Sequence, residues 1–217
     1  MNALPIRKII LGPLPDFNRA FKQWFSVMEK YCKVGSWDDV PWWYNERPLL
    51  SLFAAAVWNS GGIALEEYSI SKSHKKERWS GRGDLYVKIK RKQYVIEAKQ
   101  VWSPMGARAQ KPNAKIEKAL FDARHAAGET KSWGAKRLGL VFAVPYLPNS
   151  EQDNLKERIN YWLECVKSIE GSSMAWIFSE EVSDWFQYKG YLYPGIVILL
   201  RPLRHLEKAS AQCLLNT

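Results

Sequence analysis

The stretch GDLYVKIKRKQYVIEAKQ, residues 83–100, limits what this chain can fold into more than any other. Two runs of alternating apolar and polar residues lie so close together that only a β-hairpin can join them. A turn centred on Arg91 and Lys92 sets Lys90 opposite Gln93, Tyr86 opposite Glu97 and Asp84 opposite Lys99. Opposed residues share a face and side chains alternate along a strand, so Asp84, Tyr86, Glu97 and Lys99 are expected on one side. Leu85, Val87, Ile89, Ile96 and Ala98 take the other. A slip of one residue would part Asp84 from Glu97 and Lys99, and the apolar pattern opposes it.

Around the hairpin, periodicity supplies the remaining elements. Phe17, Ala20, Phe21, Trp24, Val27 and Met28 recur at helical steps over 16–31. Residues 34–47, with Trp37, Trp42, Trp43 and Tyr44, form a connector too aromatic to be a free linker. Pro48 opens a buried helix that stops at Gly61–Gly62. Strands are expected at 63–70, 84–90 and 94–100, then a helix from Pro112 to near Gly128 and a strand at 138–144. Ser150 and Asp153 suggest a capping box for a helix running to Ile169, followed by strands at 174–178 and 196–201. The order predicts an α/β fold, a mixed central sheet flanked by helices with an αβββαβ core.

The chain has 217 residues, 47% hydrophobic and 25% charged, with 11 Trp, which suffices for a large core and excludes a disordered chain or a disulfide-dense miniprotein. No apolar run approaches the roughly 20 residues that span a bilayer, so no membrane association is expected. Pro13 and Pro15 interrupt the N-terminal apolar stretch before a secretory core can form. Cys32, Cys165 and Cys213 are odd in number and widely spaced, which argues against a zinc site and points to a reducing, cytoplasmic setting.

Chemistry concentrates at the open end of the hairpin. Two carboxylates about 4 Å apart repel by roughly 4 kcal/mol at an effective dielectric near 20, which one ammonium only partly relieves. A divalent cation resolves the conflict, and a few hard oxygen ligands with open positions suit Mg²⁺. The chemistry this implies is phosphodiester hydrolysis, with Lys99 orienting or helping to deprotonate the attacking water.

With Gly83–Asp84, twelve intervening residues and Glu97–Ala98–Lys99, the chain resembles the PD-(D/E)xK nuclease superfamily, the restriction-endonuclease-like fold. The resemblance covers about 46–144. It implies a Mg²⁺-dependent DNA nuclease, with Mn²⁺ substituting, in which Asp84, Glu97 and the carbonyl of Ala98 ligate the metal and Lys99 is the catalytic lysine. A further acid would come from the helix before the sheet: Glu46 is the best match, with Glu66 and Glu67 as competitors. Gln100 follows the lysine, as a glutamine does in some members, where it assists at the site; the alternative is a strand-end amide with no part in the chemistry. Gly83 replaces the motif's proline, a common variant. On this reading residues 1–217 are one nuclease-like domain: a helical extension over 1–45, the catalytic core over 46–144, and a helix and strands over 145–217. The resemblance also permits a homodimer.

Charge placement points to the same end of the hairpin. The net charge of +10 favours a polyanionic partner, here DNA. Lys72, Lys75, Lys76, Arg78 and Arg82 lie in a loop expected to run into Asp84, while Arg108, Lys111 and Lys115 follow Lys99 with no acid among them. Both segments are expected to grip phosphates at the site. Trp79 and Trp102 are candidates for stacking on bases or for simple packing. A nucleic-acid-binding module without turnover, and an interaction protein using the Trp-rich connector, are the competing readings.

Overall fold

The computed structural model describes residues 7–74, 77–106, 109, 111–179 and 186–203. It is a mixed α/β fold in which one multi-stranded sheet is flanked by helices. In chain order the strands are β1 (Arg7–Ile10), β2 (Ile63–His74), β3 (Glu77–Ile89), β4 (Lys92–Pro104), β5 (Lys136–Pro148), β6 (Ser173–Phe178), β7 (Phe186–Tyr188), β8 (Tyr191–Tyr193) and β9 (Gly195–Pro202). The α-helices are α1 (Asn18–Val34), α2 (Glu46–Asn59), α3 (Pro112–Glu129) and α4 (Leu155–Lys167). The sheet order is β1-β6-β9-β5-β4-β3-β2, with β8 pairing β5 and β7. Among the described strands only β4 and β5 run parallel, joined by α3, as a crossover connection requires.

Alternation along the central strands builds two cores, one on each face. Leu138, Leu140, Phe142 and Val144 of β5, with Ile196, Ile198 and Leu200 of β9, pack with α1 and α2. Val141, Ala143, Val197 and Leu199 pack instead with Ile116 and Leu120 of α3 and Ile159 and Trp162 of α4. Burial on both faces explains why β5, β6 and β9 are nearly continuous apolar runs.

Several elements depart from expectation. The β3–β4 turn is centred on Lys90 and Arg91, so Tyr86 faces Val95 and Ile89 faces Lys92, a register two residues from the expected one. A shift of two keeps every side chain on its face, so the apolar pattern could not detect it. Lys90 takes the left-handed conformation at φ 55°. The basic segment before Asp84 is no loop: β2 and β3 continue as a polar antiparallel ribbon out to His74 and Glu77. The ribbon's end has no buried face, hence no hydrophobic alternation to read. Glu46 rather than Pro48 opens α2, capped by Asn45, whose Oδ1 accepts the Arg47 N–H. The expected capping box before α4 is replaced by a 3₁₀ segment, Asn149–Asn154, without a side-chain cap. Strand β1 and the hairpin β7–β8 are three- and four-residue pieces too short for a periodicity signal.

Candidate functional site

The site lies where β3 leaves β4. Their ladder ends at the pair Leu85–Ile96, while β2 and β3 stay paired and swing away together. Beyond that point β4 would expose unpaired N–H groups, which are costly when buried. Two carboxylates take them. Oδ2 of Asp84 accepts the Ala98 N–H at 2.8 Å, and Oε2 of Glu46, the first residue of α2, accepts the Gln100 N–H at 3.0 Å. An extended residue presents its N–H and C=O to the same edge, so the Ala98 carbonyl also faces the cleft between the strands.

Glu97 projects from the opposite face of β4 to buried Ala98 and is itself only 4% exposed. The ribbon arches over it. Lys72 bridges to Thr130 at the end of α3, and the Lys131 N–H donates to the Ser71 carbonyl. This brings Nζ of Lys72 to 3.0 Å from Oε1 of Glu97, where the Thr130 hydroxyl also donates at 3.0 Å. Burial, together with the Asp84 charge, pushes the Glu97 carboxyl above its ordinary range despite Lys72 and Thr130. Burial likewise raises Glu46, with Asp84 adding to the shift and Lys99 opposing it.

Tyr68, on β2, completes the site. Its ring lies over Gly83, where an added Cβ would fall 2.6 Å from Cζ, so the position has room only for glycine. Burial first, then the charges of Glu97 and Asp84, raise the phenol, so it stays protonated; Oη is buried and has no hydrogen-bond partner among the described residues.

The sequence-derived candidates divide accordingly. Asp84 and Glu46 take the bared N–H groups of Ala98 and Gln100, and Glu97 lies under the ribbon on Lys72 and Thr130. Lys99 is exposed, and among the described residues its ammonium has no ion-pair partner. Glu66 accepts the Ser51 hydroxyl at 2.6 Å, and Glu67 faces Arg47 and Arg82 at 3.6 Å each, so Glu46 alone of the three acids reaches β4. The Gln100 side chain donates to the Trp42 carbonyl at 3.3 Å, a contact that anchors the connector. Lys72, expected to hold phosphate, instead places its ammonium on Glu97.

Arg78 and Arg82 are exposed on the ribbon. Lys111 and Lys115 are exposed at the head of α3, whereas the residue touching Glu97, Thr130, follows its far end. At about 1.5 Å per residue, Lys115 lies about 22 Å from Thr130 along the helix axis. Lys111 and Lys115 therefore do not flank the carboxylates, because β4 runs on to Pro104 before α3 begins. Lys75, Lys76 and Arg108 lie outside the described residues. Thr130, Tyr68 and the structural use of Lys72 had no signal in the sequence, since each depends on the ribbon's arch.

Among the described residues, no three histidine, cysteine, aspartate or glutamate side chains are gathered as a metal-binding set. The donors at the cleft are nevertheless hard oxygens. Oδ1 of Asp84 and Oε2 of Glu97 make no hydrogen bond among the described residues, and the Ala98 carbonyl lies on the same cleft. One or two carboxylates with retained waters is the coordination Mg²⁺ accepts. No helix among the described residues is long and apolar enough to cross a membrane. No protein-family model, curated protein or solved structure matches this chain.

Proposed function

We propose that this chain is a Mg²⁺-dependent nuclease that hydrolyses DNA phosphodiester bonds, on a restriction-endonuclease-like core running from α2 to β5. The observation that carries the reading is the use of Asp84 and Glu46 on the bared edge of β4. There two carboxylates stand on the strand edge that also carries the Ala98 carbonyl, one residue along from Glu97. Asp84, Glu97 and the Ala98 carbonyl would hold the metal. When bound, it would polarise the phosphoryl group and acidify a water. Lys99, exposed beside this set, positions the attacking water and offsets charge developing on the phosphoryl oxygens. Glu46 fixes β4 through the Gln100 N–H and adds negative charge to the cleft. The protonated Tyr68 hydroxyl carries a proton it can donate to a carboxylate, a water or a phosphate oxygen.

A second reading is favoured by one observation: Lys72 already supplies a cation to Glu97 at 3.0 Å. On that reading the chain is a nucleic-acid-binding module on the same scaffold, without turnover. Incubation of the purified protein with linear and plasmid DNA, with Mg²⁺ or with EDTA, separates the two. The nuclease shortens or nicks DNA only with Mg²⁺, and Asp84→Asn and Lys99→Ala abolish this. The module binds DNA equally in both conditions and leaves it intact, which would overturn the proposal.

A further inference from the structure

An aromatic wall stands beside the cleft, at the carboxyl ends of the parallel pair β4–β5. Trp43 lies at the hub, with ring centroids 4.4 Å from Tyr188 and 5.6 Å from Trp102. Tyr191 packs edge-on against Tyr146 at 5.6 Å and extends the wall along β8. Tyr188 and Tyr191 remain 41% and 39% exposed, so the wall presents aromatic surface to solvent and is not a sealed core. The ammonium of Lys189 stands 5.3 Å from the centroid of the Tyr188 ring.

The wall is fastened to the candidate site. Buried Trp42 accepts from the Gln100 side chain through its carbonyl and donates its indole N–H to the Tyr193 carbonyl at 3.0 Å. Trp43 follows it directly. Along β4, Trp102 is four residues beyond Ala98, about 13 Å at the usual rise per residue. That is about the reach of two nucleotides from a phosphate at the Ala98 carbonyl.

We infer that this wall binds unpaired nucleobases of a strand whose backbone lies at the cleft, so that the protein prefers single-stranded nucleic acid or frayed ends to intact duplex. This rests on the nuclease reading for the position of the phosphate. Aromatic faces accept any base by stacking but cannot reach bases sealed inside a helix. Lys189 places a cation among the exposed rings, suited to the accompanying phosphates, and the net charge of +10 has the sign the occupant needs.

The test uses the whole chain in EDTA, so that binding is read without cleavage. Fluorescence anisotropy compares a labelled 12-nucleotide oligothymidylate, an abasic strand of equal length and a duplex of equal length. The oligothymidylate should bind about tenfold more tightly than the abasic strand. Tyr188→Ala with Tyr191→Ala should bring it down to the abasic level, with far-UV circular dichroism unchanged. Equal binding of base-bearing and abasic strands, tighter binding of duplex, or no loss in the double variant overturns the inference. Failure of the nuclease reading shows separately, as intact DNA when Mg²⁺ is added, and leaves the binding comparison standing.

Discussion

The Ala98 N–H donates to Oδ2 of Asp84 at 2.8 Å in the place where the next rung of the β3–β4 ladder would stand. One carboxylate thus closes a strand edge and faces a candidate metal site, and the two duties can be separated by substitution. Asp84→Asn keeps an oxygen acceptor and should leave stability within about 1 kcal/mol of wild type, whereas Asp84→Ala orphans the N–H and should cost about 1–3 kcal/mol. Both variants should lose Mg²⁺-dependent cleavage by about 100-fold or more. Urea titration and a nicking assay on the same preparations give the two numbers.

Lys72 and Glu97 form a pair with side chains only 17% and 5% exposed, so removing one partner strands a buried charge. Lys72→Met should destabilise the metal-free protein by about 3–5 kcal/mol, and Lys72→Met with Glu97→Gln should recover much of that. Mg²⁺ should raise the melting temperature of Lys72→Met more than that of wild type, because it replaces the missing cation at Glu97. Equal shifts would mean that Glu97 takes no part in holding the ion.

Both Glu97 and Glu46 have carboxyls raised above their ordinary 4.5, chiefly by burial. The folded state therefore holds these protons more tightly than the unfolded chain. Their contribution to stability is complete below 4.5 and is lost as pH rises through the raised folded values. Glu46→Gln should flatten this decline, measured as the urea midpoint from pH 4 to pH 8 without metal. Mg²⁺ needs the ionised forms, so its stabilising effect should grow over the same interval. A wild-type midpoint that rises across it, with Glu46→Gln unchanged, would contradict the assignment.

At Gly83 an added methyl meets the Tyr68 ring at 2.6 Å, and the residue is not at positive φ, so the conflict is steric only. Gly83→Ala should cost about 1–3 kcal/mol, and Tyr68→Ala in the same chain should restore part of it by making room. Thermal melts of the two single variants and the double variant measure the coupling.

Much of this arrangement was legible in the residues themselves. The alternation in 83–100 required a hairpin and put Asp84 on the face shared by Glu97 and Lys99, a parity that survives the two-residue shift in register. Pro112, at the start of α3, and the apolar runs of β5, β6 and β9 carried strong local signals. The ribbon beyond Gly83 did not, because its Lys, Arg and Ser side chains are solvated and only backbone ladders hold it. With the ribbon misread as a loop, the contact of Lys72 with Glu97, the bridge to Thr130 and the fit of Tyr68 over Gly83 were out of view. The alternation stops at Gln100, four residues before β4 does, so the sequence sets Lys111 and Lys115 nearer the carboxylates than the structure has them.

The most direct test of the metal site is a crystal structure of the protein soaked in Mn²⁺, with the anomalous signal as readout. A peak among Asp84, Glu97 and the Ala98 carbonyl, with the Lys72 ammonium moved off Glu97, is the predicted result. Saturating Mn²⁺ with no peak there, and Lys72 still 3.0 Å from Glu97, would contradict it.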